Sequence, residues 1–184
     1  MPATPTAAHT DAVTTATPTA TPAAPPTAVA SGVFTVSAET VWAYRLDFAN
    51  LPDYNPDVTG VRRIADGEAD GVGGVHGPGA RYTFGLADPR RPGAHHPVEL
   101  WTVDAVAPVL VAAGMAGGSE AYEEFVVRPL PAGGCEATLT LWVTLPDGLP
   151  EDVRAAADAA SLEQISKELR LMHEVLEGGA GSTT

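Results

Sequence analysis

The stretch VWAYRLDFANLPDYNP, from Val41 to Pro56, predicts a short helix that ends in a turn closed by two prolines. Ser37 can cap the start of this helix, which we place from Ala38 to about Phe48. The turn brings an aromatic residue next to an Asn-Pro pair. A helix and a turn of this kind must bury their apolar side chains against other parts of the chain. The fold therefore depends on which secondary structure the neighbouring segments form.

One strand precedes the helix, and a segment of different composition precedes the strand. Residues 29–36, VASGVFTV, predict the strand. Residues 1–28 are mostly Ala, Thr and Pro and can bury too little apolar surface to offset the entropy of ordering them. We therefore expect a disordered tail there; the alternative is a proline-rich ligand for a partner domain.

Six further strands follow the turn, and the short connections between them predict antiparallel hairpins. The last of them, CEATLTLWVTL, alternates so that Leu139, Leu141 and Val143 share one face. The six predicted strands cover residues 58–65, 80–87, 98–106, 109–116, 121–130 and 135–145.

A long helix closes the chain, from about Glu151 to Glu177, with glycines after it. Its apolar residues recur at steps of three and four and form one stripe. The fold class is therefore α+β, in the order β-α-α-β6-α. We expect one domain over residues 29–178 and a short disordered tail over residues 179–184. The stripe consists of Leu162, Ile165, Leu169, Met172 and Leu176.

The composition argues against several classes of partner. The chain has 184 residues and a net charge of −13, and so acidic a protein repels nucleic acid and anionic membranes. No segment has the ~20 apolar residues of a membrane span, and the start lacks the features of a secretory signal. Cys135 is the single cysteine, so no internal disulfide can form. We expect a cytoplasmic protein.

The order of these segments and several motifs resemble the START-like, or SRPBCC, superfamily of helix-grip folds. Within it, the chain is most similar to the polyketide cyclase/dehydrase and lipid-transport family. The matching features include the Val41-Trp42 pair, Tyr54-Asn55-Pro56, GPGARYTF, VELWTVDAVAP, PAGGCEATLTLWV and the closing helix. They span residues 30–177.

This resemblance implies a curved antiparallel sheet of about seven strands wrapped round the long helix. It also implies an apolar cavity that holds a small hydrophobic, polyketide- or lipid-like molecule without a cofactor. Trp42 would pack from the first helix, and Tyr54 would lie at the rim of the cavity. Leu141 on the last strand, with Leu162 and Leu169 on the long helix, completes the expected ligand-binding set.

Glu123 is the first candidate for catalysis. It shares a strand face with Phe125. If this face points inward, a carboxylate lies in an apolar pocket, where a raised pKa suits proton transfer. The alternative is that Glu123 lies near the strand end in water.

Two other pairs are candidates with open alternatives. Glu99 and Trp101 share a face and could orient a carbonyl-rich ligand, or they could lie on the outer face of the sheet. In cyclase-type relatives, cavity arginines and tyrosines are thought to polarise polyketone oxygens. Arg81 and Tyr82 are candidates for that role; the alternative is a surface arginine and a packed tyrosine.

Neither a metal site nor a nucleotide site is predicted. His95 and His96 are adjacent, so on an extended chain they point apart, and no third ligand has a helpful spacing. The loop DGVGGVHGPG lacks the sequence of a phosphate-binding loop.

Two main functions remain for such a domain. It could bind a hydrophobic molecule and act on it as a cyclase, aromatase or dehydratase, or it could be a non-catalytic carrier or sensor. Two or more titratable groups that converge on the cavity would favour the enzyme, and a purely apolar lining would favour the carrier. A partner-activating protein of the co-chaperone type is a third interpretation, and the oligomeric state stays open.

Overall fold

The computed structural model describes residues 22–88, 91–117 and 119–178. The predicted order of helices and strands is confirmed. The strands are β1 (Ala28–Phe34), β2 (Val58–Ala65), β3 (Arg81–Ala87), β4 (His95–Val106), β5 (Leu110–Ala116), β6 (Glu120–Pro129) and β7 (Cys135–Val143). The helices are α1 (Ala38–Leu46), α2 (Leu51–Tyr54) and α3 (Glu151–Gly178).

The two short helices form as the sequence predicts, with one 3₁₀ turn (Phe48–Asn50) between them. The Ser37 hydroxyl accepts a hydrogen bond from the backbone N–H of Thr40, at 3.2 Å, and so caps α1. Asp47 ends α1 and caps the 3₁₀ turn, since its Oδ1 accepts from the Ala49 N–H at 3.0 Å. These caps fix the angle at which α2 leaves α1, and thereby the position of Tyr54.

The seven strands form one antiparallel sheet in the order β1-β7-β6-β5-β4-β3-β2. The first and last strands are therefore neighbours, with Phe34 opposite Cys135. The Glu177 carboxylate, in the last turn of α3, accepts hydrogen bonds from the backbone N–H and the hydroxyl of Thr35, at 2.5 and 2.6 Å. Both ends of the domain are thus joined at one edge of the sheet.

Helix α3 packs against β1, β7 and α2 on the concave face of the sheet. Its buried residues are Ile165, Glu168, Leu169 and Met172. Leu162 belongs to the predicted stripe but is 45% exposed, because it precedes the turn of α3 that first meets the sheet and α2. The buried stripe is therefore shorter than predicted, and it contains a carboxylate.

Part of the segment that was expected to be disordered is ordered beside β7. The Thr27 N–H donates to the Leu141 carbonyl at 2.8 Å, and the Thr27 hydroxyl accepts from the Val143 N–H at 2.9 Å. The Trp142 indole donates to the Ala24 carbonyl at 3.0 Å. The expectation for residues 1–21 and 179–184 lies outside the described residues. Within the described ranges, no helix is long and apolar enough to cross a membrane.

Candidate functional site

A cavity of about 680 Å³ lies between α3 and the concave face of the sheet. This volume lies in the range of sites that hold small molecules. Exposed residues at its edge, among them Ser119 and Ala160, mark its opening. Its apolar walls come from Leu51, Val58, Phe84, Leu86, Val98, Leu100, Met115, Ala121, Leu141, Val143 and Ile165.

An arginine lies at the inner wall of this cavity. The buried residues of α1 recur at steps of three and four, and this spacing places Arg45 on the same helix face as Val41 and Trp42. The Arg45 side chain is only 2% exposed. Its Nη2 forms a short ion pair with Oε1 of Glu123 on β6, and its Nη1 donates to the Tyr54 hydroxyl at 2.6 Å.

Aromatic rings surround the Arg45 guanidinium. Its central carbon lies 5.3 Å from the ring centroids of Phe48 and Tyr54 and 5.7 Å from that of Phe125. Burial is the largest single influence on the pKa of Arg45 and lowers it, but the charges of Glu123 and Glu168 and the contact with Tyr54 together outweigh burial, so the net shift is upward and the guanidinium stays protonated.

A second buried carboxylate lies opposite, on α3. Oε1 of Glu168 accepts hydrogen bonds from Nδ2 of Asn55 at 2.8 Å and from Nε2 of Gln164 at 3.2 Å. Burial raises the pKa of Glu168 to about 7, although Arg45 acts to lower it. Burial also raises the pKa of Glu123, and its contact with Arg45 opposes the rise.

Three ionisable groups therefore converge on one end of a mostly apolar cavity. Arg45 and Glu123 form a buried pair, and Glu168 lies near them with a pKa close to neutral. A carboxyl group with such a pKa exists in both protonation states near pH 7. It can therefore give a proton to a bound molecule or take one from it.

The structure brings several of the predicted site residues together. Glu123 and Leu141 line the cavity, so the face of β6 that carries Glu123 and Phe125 points inward. Tyr54, Phe125 and Leu169 do not line the cavity but flank a separate void of about 10 Å³ beside Arg45, so Tyr54 is buried and does not lie at the rim as expected. There, the rings of Tyr54 and Phe125 contact the Arg45 guanidinium.

Other predicted residues lie on the outer face of the sheet. Arg81 and Glu99 are about half exposed and form an ion pair at 2.7 Å. Trp101 lies on the same face, where its ring covers Gly114 so closely that a Cβ there would come within 2.6 Å of it. The reason is the pleat: because Leu100 lines the cavity, its neighbours on β4 must point outward.

Three predicted residues lie elsewhere, outside the cavity lining. Tyr82 is on the inner face but beyond the cavity, where its hydroxyl lies 2.7 Å from Nδ1 of His76 and its ring packs against Phe48. Trp42 is buried in the core and donates from Nε1 to the Leu110 carbonyl at 2.8 Å. Leu162 is largely exposed, as described above.

The sequence interpretation missed Arg45 and Glu168. Both carried a usable signal, since Arg45 follows Val41 by four residues and Glu168 follows Ile165 by three. Each is thus a charged residue on an apolar helix face. Asn55 was noted as part of the turn motif, but its hydrogen bond to Glu168 was not foreseen. Among the described residues, no group of three or more His, Cys, Asp or Glu is placed to hold a metal ion.

Solved structures share this fold across most of their length. A protein from Thermus thermophilus is 16% identical, with a TM-score of 0.63, over 84% of this chain and 99% of its own. A START superfamily protein from Mycobacterium smegmatis is 18% identical, with a TM-score of 0.62, over 80% and 97%. Identities this low show the fold alone. No curated protein matches the chain significantly.

The family match is broader than any single motif. The family described as "Polyketide cyclase / dehydrase and lipid transport" matches residues 25–177. Of the elements described above, this range contains the strands β1 to β7, the helices α1 and α2, α3 except for its last residue, and every residue of the cavity. The chain therefore belongs to the polyketide cyclase/dehydrase and lipid-transport family of START-like (SRPBCC) proteins, with a helix-grip fold.

Proposed function

We propose that this protein binds a small hydrophobic molecule in the cavity and catalyses an acid–base reaction on it, of the cyclase, aromatase or dehydratase kind. The observation that carries the proposal is Glu168, a carboxyl group with a pKa of about 7 at the wall of an apolar cavity. The family description supports the coarser part, a ligand of polyketide or lipid character.

The chemistry follows from the position of Glu168 beside Arg45. The Glu168 carboxylate would take a proton from a carbon that lies between two carbonyl groups of the ligand. The carbanion would then add to another carbonyl of the same chain, forming a C–C bond, and the new alkoxide would take the proton back. Loss of water would follow if Glu168 again removes a carbon-bound proton and then protonates the leaving hydroxyl.

The cavity would also contribute by shape. A flexible polyketone has many conformers, and only a few bring the reacting carbons together. Apolar walls that hold it folded convert a rare conformer into the bound one, which removes much of the entropic barrier. Arg45 would stabilise negative charge that develops at the same end of the cavity.

A non-catalytic carrier is the second candidate, and one observation favours it. Arg45 and Glu123 already satisfy one another and Tyr54, as a structural ion pair between α1 and β6 would. In that case the pair only holds the helix on the sheet, and the apolar walls sequester a lipid.

Binding can be tested with two matched variants of α3. Ala160 lines the opening of the cavity, whereas its exposed neighbour Ala159 does not. Ala160→Trp should weaken the binding of a neutral hydrophobic fluorophore, N-phenyl-1-naphthylamine, and Ala159→Trp should not. Equal binding by both variants and the unmodified protein would place the fluorophore outside the cavity and count against the proposal.

Catalysis needs the natural ligand, which native mass spectrometry of protein purified from its source would reveal by mass. Given that molecule, Glu168→Gln should still bind it through the apolar walls and lose conversion, because the amide keeps the shape but cannot exchange the proton. Conversion that persists in Glu168→Gln would remove Glu168 from the mechanism. Binding without any conversion by the unmodified protein would establish the carrier.

A further inference from the structure

We propose that the ligand of this cavity carries a hydrogen-bond donor, an ammonium or a hydroxyl group, at the end that meets Glu123 and Glu168, and that molecules ending in a carboxylate are poor ligands. This inference rests on the proposed binding function, and it narrows the class of ligand. This choice of ligand group depends on which polar atoms of the cavity wall have no hydrogen-bond partner in the protein.

The unused atoms at the inner wall are acceptors. Oε1 of Glu123 is bonded to Arg45, and Oε1 of Glu168 is bonded to Asn55 and Gln164. Within the described part of the chain, no hydrogen bond reaches the second oxygen, Oε2, of either carboxylate. Neither Oε2 is among the fully buried atoms that lack a partner. Since both residues line the cavity, these oxygens are open to a ligand.

The strong donor groups at the same wall each have one hydrogen bond to the protein. Nη1 and Nη2 of Arg45 have Tyr54 and Glu123 as partners. Nε of Arg45 is fully enclosed and cannot reach a ligand. Asn55 and Gln164 each donate one amide N–H to Glu168. A ligand carboxylate would therefore have to share these donor groups with Glu123 and Glu168 and would lose its hydration beside two carboxyl groups, which is costly in an apolar cavity.

The balance of charge points the same way. The inner wall has two carboxyl groups and one guanidinium, and the third acidic residue of the lining, Asp57, lies 3.6 Å from Lys167. An anionic ligand would add a negative charge beside Glu123 and Glu168. An ammonium group would instead balance the site and hydrogen-bond to both free oxygens.

Binding of an amine should also depend on pH. The charged and titratable groups that surround Glu168 are Arg45 from α1, Glu123 from β6 and Tyr54 from α2. An ammonium group favours the ionised form of Glu168 and so lowers its pKa. The affinity for an amine should therefore rise as the pH is raised through 7, and binding should release protons.

The test uses three molecules with one apolar body: 2-naphthylmethylamine, 2-naphthylmethanol and 2-naphthoate. Isothermal titration calorimetry at pH 8 should give the amine the highest affinity and the carboxylate the lowest, with the amine favoured over the carboxylate by about tenfold or more. Salt at about 0.15 M screens the general attraction of an acidic protein for cations.

Two variants separate the cavity from the surface of the protein. Glu168→Gln should remove most of the preference for the amine and its dependence on pH. Glu163→Gln deletes the same charge from the exposed side of the same helix and should keep both. A preference that survives in Glu168→Gln, or that is lost equally in Glu163→Gln, would overturn the inference.

The outcomes distinguish this inference from the proposed function. If the carboxylate binds as tightly as the amine, and Ala160→Trp weakens both, the cavity binds hydrophobic molecules but the donor inference is wrong. If none of the three molecules binds, and N-phenyl-1-naphthylamine does not bind either, the proposed function fails together with the inference.

Discussion

Replacing Glu168 by glutamine should make the protein more stable at neutral and alkaline pH. In the folded chain the pKa of Glu168 is raised from 4.5 to about 7, mainly by burial. The folded state therefore binds this proton more tightly than the unfolded state does. Between pH 4.5 and pH 7 the folded state holds more protons, so the contribution of Glu168 to stability falls as the pH rises.

The size of the effect follows from the pKa values. Each pKa unit corresponds to about 1.4 kcal/mol. The rise from 4.5 to about 7 thus means that ionised Glu168 costs the folded state about 3 kcal/mol. Glutamine has nearly the same shape, its oxygen can still accept from Asn55 and Gln164, and it never ionises. The variant should match the original near pH 4.5 and exceed it by up to about 3 kcal/mol at pH 8.

The measurement is the free energy of unfolding in urea at a series of pH values. The informative quantity is the difference between Glu168→Gln and the original protein, because titrating groups that do not interact with Glu168 contribute equally to both. Glu163→Gln, on the exposed face of α3, is the control and should give a much smaller difference. A Glu168→Gln difference that is constant with pH, or negative at pH 8, would mean that Glu168 is stably ionised beside Arg45 and would refute the reasoning.

Three further predictions concern stability. Glu123→Gln should lower the free energy of unfolding by about 3–5 kcal/mol, since it leaves the buried Arg45 charge without its partner; adding Arg45→Met should recover much of this loss in a double-mutant cycle, and full additivity would show that the pair is not coupled. Leu169→Ala should cost about 2–5 kcal/mol in urea unfolding, whereas exposed Leu162 should tolerate the same change, and equal losses would contradict the packing of α3. A chain that begins at Val29 lacks the hydrogen bonds that tie the preceding segment to β7 and should melt several degrees lower; an unchanged melting temperature would make those bonds dispensable.

The fold could be predicted because its signals are local. The alternation of β7 and the three- and four-residue steps of α3 each depend on side chains within one segment. The caps at Ser37 and Asp47 also depend on neighbours in sequence. These local features do not depend on how the helices and strands are arranged in space. The order of helices and strands along the chain was therefore enough to indicate the sheet and the long helix.

The polar end of the cavity could be predicted only in part, because it depends on partners far apart in sequence. Arg45 is 78 residues from Glu123, and Asn55 is 113 residues from Glu168. The sequence of β4 does not predict which face of the strand points into the cavity, because large apolar residues occur on both faces. Glu99 and Trp101 were therefore open alternatives, and the register with β3 and β5 places them outside.

The pairing of β1 with β7 sets an order of events during synthesis. Phe34 faces Cys135 across the two strands, so β1 must wait for roughly 100 more residues before β7, its neighbour among the described strands, exists. At ribosomal speeds of about 5–20 residues per second, that wait is about 5–20 s. The hairpins from β2 to β7 can form meanwhile, because each joins consecutive strands. β1 is thus made before the other six described strands but is among the last of them to be placed in the sheet, and α3, which follows β7 in the chain, packs against it.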